Sequence, residues 1–316
     1  MKQFFRCLLS ILCLMLLAST PALAKLKLEQ KPGEMIGKLK LGDIEIIAIQ
    51  DSPMDMPLNL FKGPLSEEQR NSYAQNSPAA GDKSGTVLAS DNVFVIKTPD
   101  QTILVDSGLG DLANPESFFT SRLKQAGLSP EDIDLVVLTH MHYDHIGGLL
   151  KDGKAVFPKA KILVSNLERG FWLNPELLND EYYKANAELA QRVDTVYIDR
   201  FKGFDFDQEL APGVLSLSAV GHTPGHTAYL VSSGEDAILF AGDYLHASAL
   251  QFPNPDENAA FDMDPAKAAE TRKALLNRAA QEKLPIAGIH VPFPGIGYVK
   301  ENDKNGFDYT ALEIQN

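Results

Sequence analysis

The chain has 316 residues, with 42 acidic against 29 basic side chains and a formal net charge of −13. This balance, without any run rich in Lys or Arg, argues against nucleic acid as a partner, because such binding depends on neutralising phosphates. Both cysteines, Cys7 and Cys13, lie near the start, so the rest of the chain can form no disulfide and offers no thiolate ligand.

The first 24 residues have the pattern of a secretory signal peptide. Lys2 and Arg6 give a basic start, residues 7–18 form an apolar run, and alanines stand at positions 22 and 24. The run is shorter than the roughly 20 residues that span a membrane, so we expect cleavage after Ala24. The sequence therefore predicts a periplasmic or secreted protein, free of the membrane after cleavage, with residues 25–316 as one domain.

Strands and helices alternate in the first half of the remaining chain. Residues 53–85 are polar and rich in Pro, Gly, Ser and Asn, which predicts a long loop, or a loop with a short helix. A helix is predicted over residues 118–126, ended by Gly127, and a capped turn over residues 129–132. Short β-branched or apolar runs bounded by turn residues predict strands, and here they cover residues 44–49, 93–96, 102–105 and 135–138.

The second half continues this alternation. Residues 166–192 read as helical with an interruption at Pro175, and residues 264–283 form the clearest helix, capped by Asp264 and opened by Pro265. Strands are predicted at residues 162–164, 214–220, 229–231, 237–240 and 285–289. Four of the predicted strands deliver a candidate His or Asp at their carboxyl ends, namely His140, His222, Asp243 and His290, which makes the ends of these strands the place to look for a site.

All seven histidines lie at or beyond residue 140, and the densest group is His140, His142, Asp144 and His145. In an extended segment residues i and i+2 point the same way, so His140 and His142 can hold one ion, while the other two turn towards a second. Imidazole and carboxylate together suit Zn²⁺, and also Mn²⁺, Fe²⁺ or Co²⁺. A polar surface loop is the alternative, and it does not explain this density of ligands.

Later segments add three further candidates. The tight loop at residues 221–226 contains His222 and His226, of which one is expected to bind metal and the other to support the loop. Asp243 follows a strand, and a carboxylate there can bridge two cations. Taken alone, Asp243 would read as a turn residue and His290 as a packed histidine, so both depend on the rest of the pattern.

The order His-x-His-x-Asp-His, then Gly-His-Thr-Pro-Gly-His, then Gly-Asp and a late His resembles the metallo-β-lactamase superfamily over residues from about 90 to 290. The resemblance implies an α/β fold, an αββα sandwich of two mixed β-sheets flanked by helices, with two metal ions at one edge. It implies a first metal held by His140, His142 and His222, a second held by Asp144, His145 and His290, and a bridge made by Asp243.

Residues 243–246, 252–261 and 288–297 look like the methyl parathion hydrolase branch and its lactone-hydrolysing relatives. In lactonases of the superfamily a Tyr three places after the bridging Asp helps to polarise the carbonyl, whereas this chain has His246 there. His246 is therefore a candidate donor to the developing oxyanion. The expected substrate pocket is apolar, lined by Trp172, Leu245, Phe261 and Phe293.

These features predict an exported hydrolase with two divalent metals, most of all Zn, acting on small molecules. A hydroxide shared by the metals would attack lactones or aryl esters, with organophosphate triesters as a side activity. The catalytic residues would be Asp243, His246 and Asp144, the last as proton carrier. A β-lactamase is the alternative hydrolase, and a redox or non-catalytic metal-binding protein on the same fold is the alternative of another class. The oligomeric state, with a homodimer as one option, is left open.

Overall fold

The computed structural model describes residues 26–81, 83–112 and 118–315. The predicted signal segment lies outside these ranges. Within them, no helix is both long enough and apolar enough to cross a membrane.

Strands account for most of the regular structure, and the helices lie between them in the chain. The strands are β1 Leu28–Glu29, β2 Ile36–Leu41, β3 Ile44–Pro57, β4 Thr86–Lys97, β5 Thr102–Val105, β6 Leu135–Val137, β7 Leu150–Lys151, β8 Lys154–Ala155, β9 Lys161–Ser165, β10 Phe201–Phe204, β11 Glu209–Ala211, β12 Val214–Ser218, β13 Thr227–Ser233, β14 Asp236–Phe240, β15 Pro285–Ala287, β16 Ile296–Glu301, β17 Phe307–Ala311 and β18 Ile314–Gln315. The α-helices are α1 Glu67–Gln75, α2 Phe119–Gln125, α3 Tyr143–Ile146, α4 Asn166–Trp172, α5 Lys184–Val196, α6 Ser248–Gln251 and α7 Pro265–Glu282.

Two large mixed sheets form the centre of the molecule. One has nine strands in the order β10-β9-β6-β5-β4-β3-β2-β1-β18, and the other has seven in the order β11-β12-β13-β14-β15-β16-β17. Each combines parallel pairs, such as β5 with β6 and β14 with β15, with antiparallel pairs. The strands that alternate with helices along the chain therefore form two large sheets and not one.

The molecule has four layers, two of helices and two of strands, and an apolar cluster lies between each neighbouring pair of layers. The first packs α2, α4 and α5 on the outer face of the nine-stranded sheet, and the second joins the facing sides of the two sheets through residues such as Phe94 and Phe240. The third packs α7 on the outer face of the seven-stranded sheet, with Leu276 and Ile286 at its centre. This is an αββα sandwich, as the sequence predicts.

The prediction of a loop with a short helix over residues 53–85 agrees with α1, but it missed the start of this range, because β3 continues to Pro57. Pro53 and Pro57 lie in the part of β3 that the sequence predicts as loop. Residues 50–57 of β3, however, pair only with β4, whereas β2 pairs with β3 no further than Ile49. Prolines are tolerated at such an edge because their missing N–H groups face no second partner strand.

The carboxyl ends of several strands meet at one edge of the sandwich. β5 is parallel to β6 and β14 is parallel to β15, while β12 and β14 share a direction because each is antiparallel to β13. The segments that follow β6, β12, β14 and β15 contain four candidate ligands: His140, His222, Asp243 and His290. The fold thus brings residues from distant parts of the chain to one place.

Candidate metal centre and substrate cavity

Two groups of side chains at this edge have the composition of metal sites. In each group the potential ligand atoms lie within 4.8 Å of one another. The first group is His140, His142, His222 and Asp243; the second is Asp144, His145, Asp243 and His290. Asp243 belongs to both groups, which is the position that a bridging carboxylate needs. The structure thus brings all seven predicted ligands together.

The potential ligand atoms converge as they would around metal ions, and several of them do not form hydrogen bonds with one another. His142 Nδ1 lies 2.9 Å from His140 Nε2 and 3.0 Å from His222 Nε2, so three imidazole nitrogens converge. His145 Nε2 and Asp243 Oδ1 are buried and lie 3.2 Å apart, and neither makes a hydrogen bond within the described ranges. Buried polar atoms without hydrogen bonds are costly, and divalent ions would provide partners for both.

Burial and mutual charge decide the protonation of these side chains. Burial and the neighbouring histidines hold the pKa values of His140 and His142 well below the ordinary range, which keeps both rings neutral and available as ligands. Burial alone would lower the pKa of His145, yet the carboxylates of Asp243 and Asp144 raise it well above the usual value. Burial raises the pKa of Asp144.

Carboxylates behind the ligands fix their orientation. Asp106 follows β5 and accepts from the backbone N–H of Thr139, and its Oδ2 lies 2.9 Å from His145 Nδ1. Asp91, in β4, lies 3.2 Å from His290 Nδ1. Such partners orient metal-binding imidazoles and raise their basicity. Neither residue was predicted from the sequence, although Asp106 follows a predicted strand just as Asp243 does.

Asp262 gives His222 the same kind of support. Its Oδ1 lies 2.9 Å from His222 Nδ1, and its Oδ2 accepts from the backbone N–H of Ala259. Behind it lies the fully buried guanidinium of Arg272, whose Nη2 is 3.6 Å away. Burial raises the pKa of Asp262, but the hydrogen bond from His222 and the nearby charges of His222, His246 and Arg272 together outweigh it, and the net shift is downward. No sequence pattern pointed to this pair.

His226 supports the centre without belonging to either ligand group. Its Nδ1 donates to the carbonyl of Ala219 at 3.0 Å, and its Nε2 accepts from the backbone N–H of Asp243 at 2.8 Å. This pattern requires a neutral ring, and burial lowers the pKa of His226 to about 3. Gly242 has a φ of +56°, and a Cβ there would lie 2.6 Å from His226 Nε2, so this approach requires glycine. Of the two histidines in the loop at residues 221–226, His222 thus belongs to a ligand group and His226 supports the loop.

His246 lies beside the two groups. Its Nε2 is 3.1 Å from Asp243 Oδ2, and its ring stacks on His290 at 5.4 Å between centroids. The buried Nδ1 makes no hydrogen bond within the described part of the chain. The backbone N–H of His246 donates to the side-chain oxygen of Gln251, which fixes the backbone position from which the imidazole extends. Burial lowers the pKa of His246 to about 4.

A cavity of about 510 Å³ opens directly onto the candidate ligands. Its floor includes His142, Asp144, Asp243 and His290, and His246 also faces it. The walls are mainly apolar and include Met54, Met56, Leu60, Trp172, Phe261 and Met263. Cavities of this size and character are typical of small-molecule sites. The end of β3, from Met54 to Pro57, forms one wall of this cavity, so part of the segment predicted as a loop lines the site.

Two predicted pocket residues lie elsewhere. Leu245 is fully buried in the cluster beneath α7. Its backbone is extended, with φ −134° and ψ 122°, so its side chain and that of His246 point to opposite sides. Phe293 packs against the cluster between the sheets and lines a separate cavity with Tyr73 and Phe252. Trp172 and Phe261 do line the cavity over the candidate ligands.

Comparisons with known proteins agree with this geometry. A family model described as the metallo-beta-lactamase superfamily matches residues 88–288. An N-acyl homoserine lactonase of Bacillus thuringiensis is 26% identical over 210 residues, which cover 60% of this chain and 76% of the relative.

Two solved structures are similar over nearly the whole chain. The hydrolase AbOPH of the beta lactamase superfamily is 32% identical, with a TM-score of 0.85, covering 90% of this chain and 100% of the other. AidC, a dizinc quorum-quenching lactonase in complex with its product N-hexanoyl-L-homoserine, is 28% identical, with a TM-score of 0.80, covering 92% of this chain and 99% of the other.

The family match spans more than half of the chain, and AbOPH adds a similarity above 30% identity along its full length. Together with the two His/Asp groups, these findings support two divalent metal ions per chain. The chain belongs to the metallo-beta-lactamase superfamily and is a metal-dependent hydrolase.

Proposed function

We propose that this hydrolase cleaves lactones, with N-acyl homoserine lactones as the substrate class that its relatives favour and aryl esters as a related class. The observation that carries the proposal is the apolar cavity, which ends on both ligand groups at once. A lactone with an apolar acyl chain has the matching shape: a polar reacting group for the floor and a hydrocarbon tail for Met54, Met56 and Phe261.

The seven residues of the two groups are the proposed metal ligands. Two ions bound there would lower the pKa of a shared water towards ~7 and polarise a carbonyl oxygen. We propose Zn²⁺ as the native ion because imidazole and carboxylate donors suit it, with Mn²⁺, Fe²⁺ or Co²⁺ as substitutes. Asp243 would be the ligand that the two sites share, because it belongs to both groups.

His246 and Asp144 complete the proposed machinery. His246 lines the cavity and its Nε2 lies 3.1 Å from Asp243 Oδ2, so an N–H of this ring is the candidate donor to a carbonyl oxygen that gains charge beside Asp243. Asp144 lines the same cavity, and the raised pKa of its carboxyl suits a group that takes up and releases a proton. An alkoxide leaving group needs little of this help, whereas the amine leaving group of a β-lactam needs more.

Export and organophosphate side activity stay proposals that rest on the sequence, and a homodimer stays one option for an oligomeric state that the sequence leaves open. The basic, apolar and small-residue segments before Lys25 support export to the periplasm or beyond. N-terminal sequencing of the exported protein should begin at Lys25, and an intact Met1 in a membrane fraction would contradict this.

A substrate panel on metal-reconstituted protein tests the proposed function. It compares an N-acyl homoserine lactone, an aryl lactone, methyl parathion and a cephalosporin at equal concentration. We expect the highest kcat/KM for the lactones. Faster turnover of the cephalosporin would favour the β-lactamase alternative, and two bound ions without turnover of any substrate would favour a non-catalytic protein.

A further inference from the structure

One buried carboxylate outside the two ligand groups makes an unusual number of hydrogen bonds. Glu168, in α4, is fully buried. Its Oε1 accepts from the backbone N–H of Met141 at 3.0 Å and from the indole N–H of Trp172 at 2.7 Å. Its Oε2 accepts from the hydroxyl of Thr223 at 2.6 Å and from the backbone N–H of Gly225 at 2.9 Å. Three of these partners lie far from Glu168 in the chain, and only Trp172 is a neighbour, four residues away.

These four partners belong to three parts of the site. Met141 stands between His140 and His142, and Thr223 follows His222, so the carboxylate joins the two segments that supply the first ligand group. Trp172 is a wall of the substrate cavity, and its ring meets that of His142 edge to face, at 5.5 Å between centroids. Glu168 therefore connects the first ligand group to the cavity wall.

The surrounding backbone is built to allow this contact. Ser165 caps α4 by accepting from the backbone N–H of Glu168, and its hydroxyl donates to the carbonyl of Gly225 at 2.6 Å. A Cβ at Gly225 would lie 2.1 Å from the backbone N of Glu168, so only glycine lets the loop come this close. The loop that follows β12 is thereby held against the start of α4 from both sides.

We propose that Glu168 is a positioning residue that holds the segments of His140, His142 and His222 in the arrangement needed for the first metal ion. Through its bond to the indole N–H, it also holds Trp172 in place at the cavity wall. Glu168 belongs to neither ligand group and does not line the cavity, and the inference rests on the proposed metal ligands. It predicts that changing the carboxylate alters metal affinity at one of the two sites, selectively, rather than stability alone.

The substitution Glu168→Gln should remove some of the four hydrogen bonds of Glu168 and keep the others. An amide keeps one acceptor oxygen, and the donors on the Oε1 side, the N–H groups of Met141 and Trp172, cannot accept. The hydroxyl of Thr223 can turn and accept from the new NH₂ group. The oxygen should therefore stay towards Met141 and Trp172, and the N–H of Gly225 should lose its partner. The variant is expected to loosen the loop of His222 while leaving the indole bond in place.

The measurement is Zn²⁺ affinity of the metal-free protein, from competition with a chromogenic chelator, for the wild type, Glu168→Gln and the surface control Glu188→Gln. Loss of a group that orients metal ligands typically costs ~10–100-fold in metal affinity, and we expect this for one ion of the two, with the other unchanged. Trp172 is the only tryptophan, so its emission reports directly on the indole bond and should keep its wild-type maximum. Glu188, exposed on α5, should match the wild type in every readout.

Wild-type affinity for both ions in a folded Glu168→Gln protein would overturn the proposal, even if its melting temperature fell. If that variant does not fold, Thr223→Val removes a single bond and decides the matter: weaker binding of one ion supports the proposal, and wild-type binding of both overturns it. Because these readouts are binding and emission, a failure of lactone turnover would contradict the proposed function and leave this inference standing.

Discussion

Asp262→Asn tests whether the ion pair behind His222 supports the metal centre. Asp262 accepts two hydrogen bonds, one on each oxygen, from His222 Nδ1 and from the backbone N–H of Ala259. Both donors and the carboxylate are buried. An amide offers one acceptor oxygen, so one of the two donors would face an NH₂ group.

The expected loss of stability follows from these contacts. A buried donor without an acceptor costs about 1–3 kcal/mol, and breaking a buried ion pair typically costs about 3–5 kcal/mol. Arg272 keeps three carbonyl acceptors, on Tyr244, Pro255 and Glu257, so the total should fall towards the lower values. We expect about 3 kcal/mol in the metal-free protein, which corresponds to a fall of roughly 5 °C in Tm for a domain of this size.

Urea unfolding of the metal-free protein, followed by circular dichroism, measures this loss. The matched control is Asp256→Asn, which removes a carboxylate paired with Lys273 at the surface; exposed pairs of this kind contribute at most about 1 kcal/mol. Zn²⁺ affinity should also fall by about 10–100-fold, because His222 loses its orienting partner. A stability change equal to that of the control, with unchanged Zn²⁺ affinity, would refute the reasoning.

Three further predictions concern the site itself. Asp243→Ala should lose hydrolysis and bind fewer than two ions, because Asp243 belongs to both ligand groups; near-normal turnover would mean that the bridge is misassigned. His246→Ala should lower kcat for lactones by at most about 10²–10³ with two ions still bound, and loss of metal from this variant would instead show that the ring supports Asp243. Phe261→Ala should raise KM for long-chain acyl lactones more than for short-chain ones, since Phe261 is part of the apolar wall; equal changes for both would place the acyl chain elsewhere.

The sequence was most informative where a short segment carries both structure and chemistry. His140, His222, Asp243 and His290 each follow an apolar strand, and strands that share a direction end at the same edge, so their meeting could be predicted without coordinates. The capped helix α7 was likewise recognisable from Asp264 and Pro265, and Asp264 does accept from the backbone N–H of Lys267.

The supporting residues could not be predicted in this way. Glu168 and Arg272 lie in helices, where charged side chains are usually exposed, and their partners stand far away in the chain. Their roles depend on how loops from different layers meet. Leu245 shows a second limit: it lies beside His246, but an extended backbone turns neighbouring side chains to opposite sides, and composition does not reveal which one faces the cavity.

The length of β3 shows a third limit, because a polar composition rich in Pro, Gly, Ser and Asn predicts a loop where this strand in fact continues. Pro53 and Pro57 pair with Ser90 and Thr86 on one side only. Whether a strand lies at an edge depends on the order of strands in the sheet, which the sequence did not specify.

Titration of the metal-free protein with Zn²⁺, while hydrolysis of an N-acyl homoserine lactone is recorded, tests the central claim most directly. Both ligand groups contribute to the proposed reaction, so the rate should rise with added Zn²⁺ and reach its plateau at two equivalents per chain. A plateau at one equivalent, or a rate that does not depend on Zn²⁺, would contradict a lactonase with two metal ions.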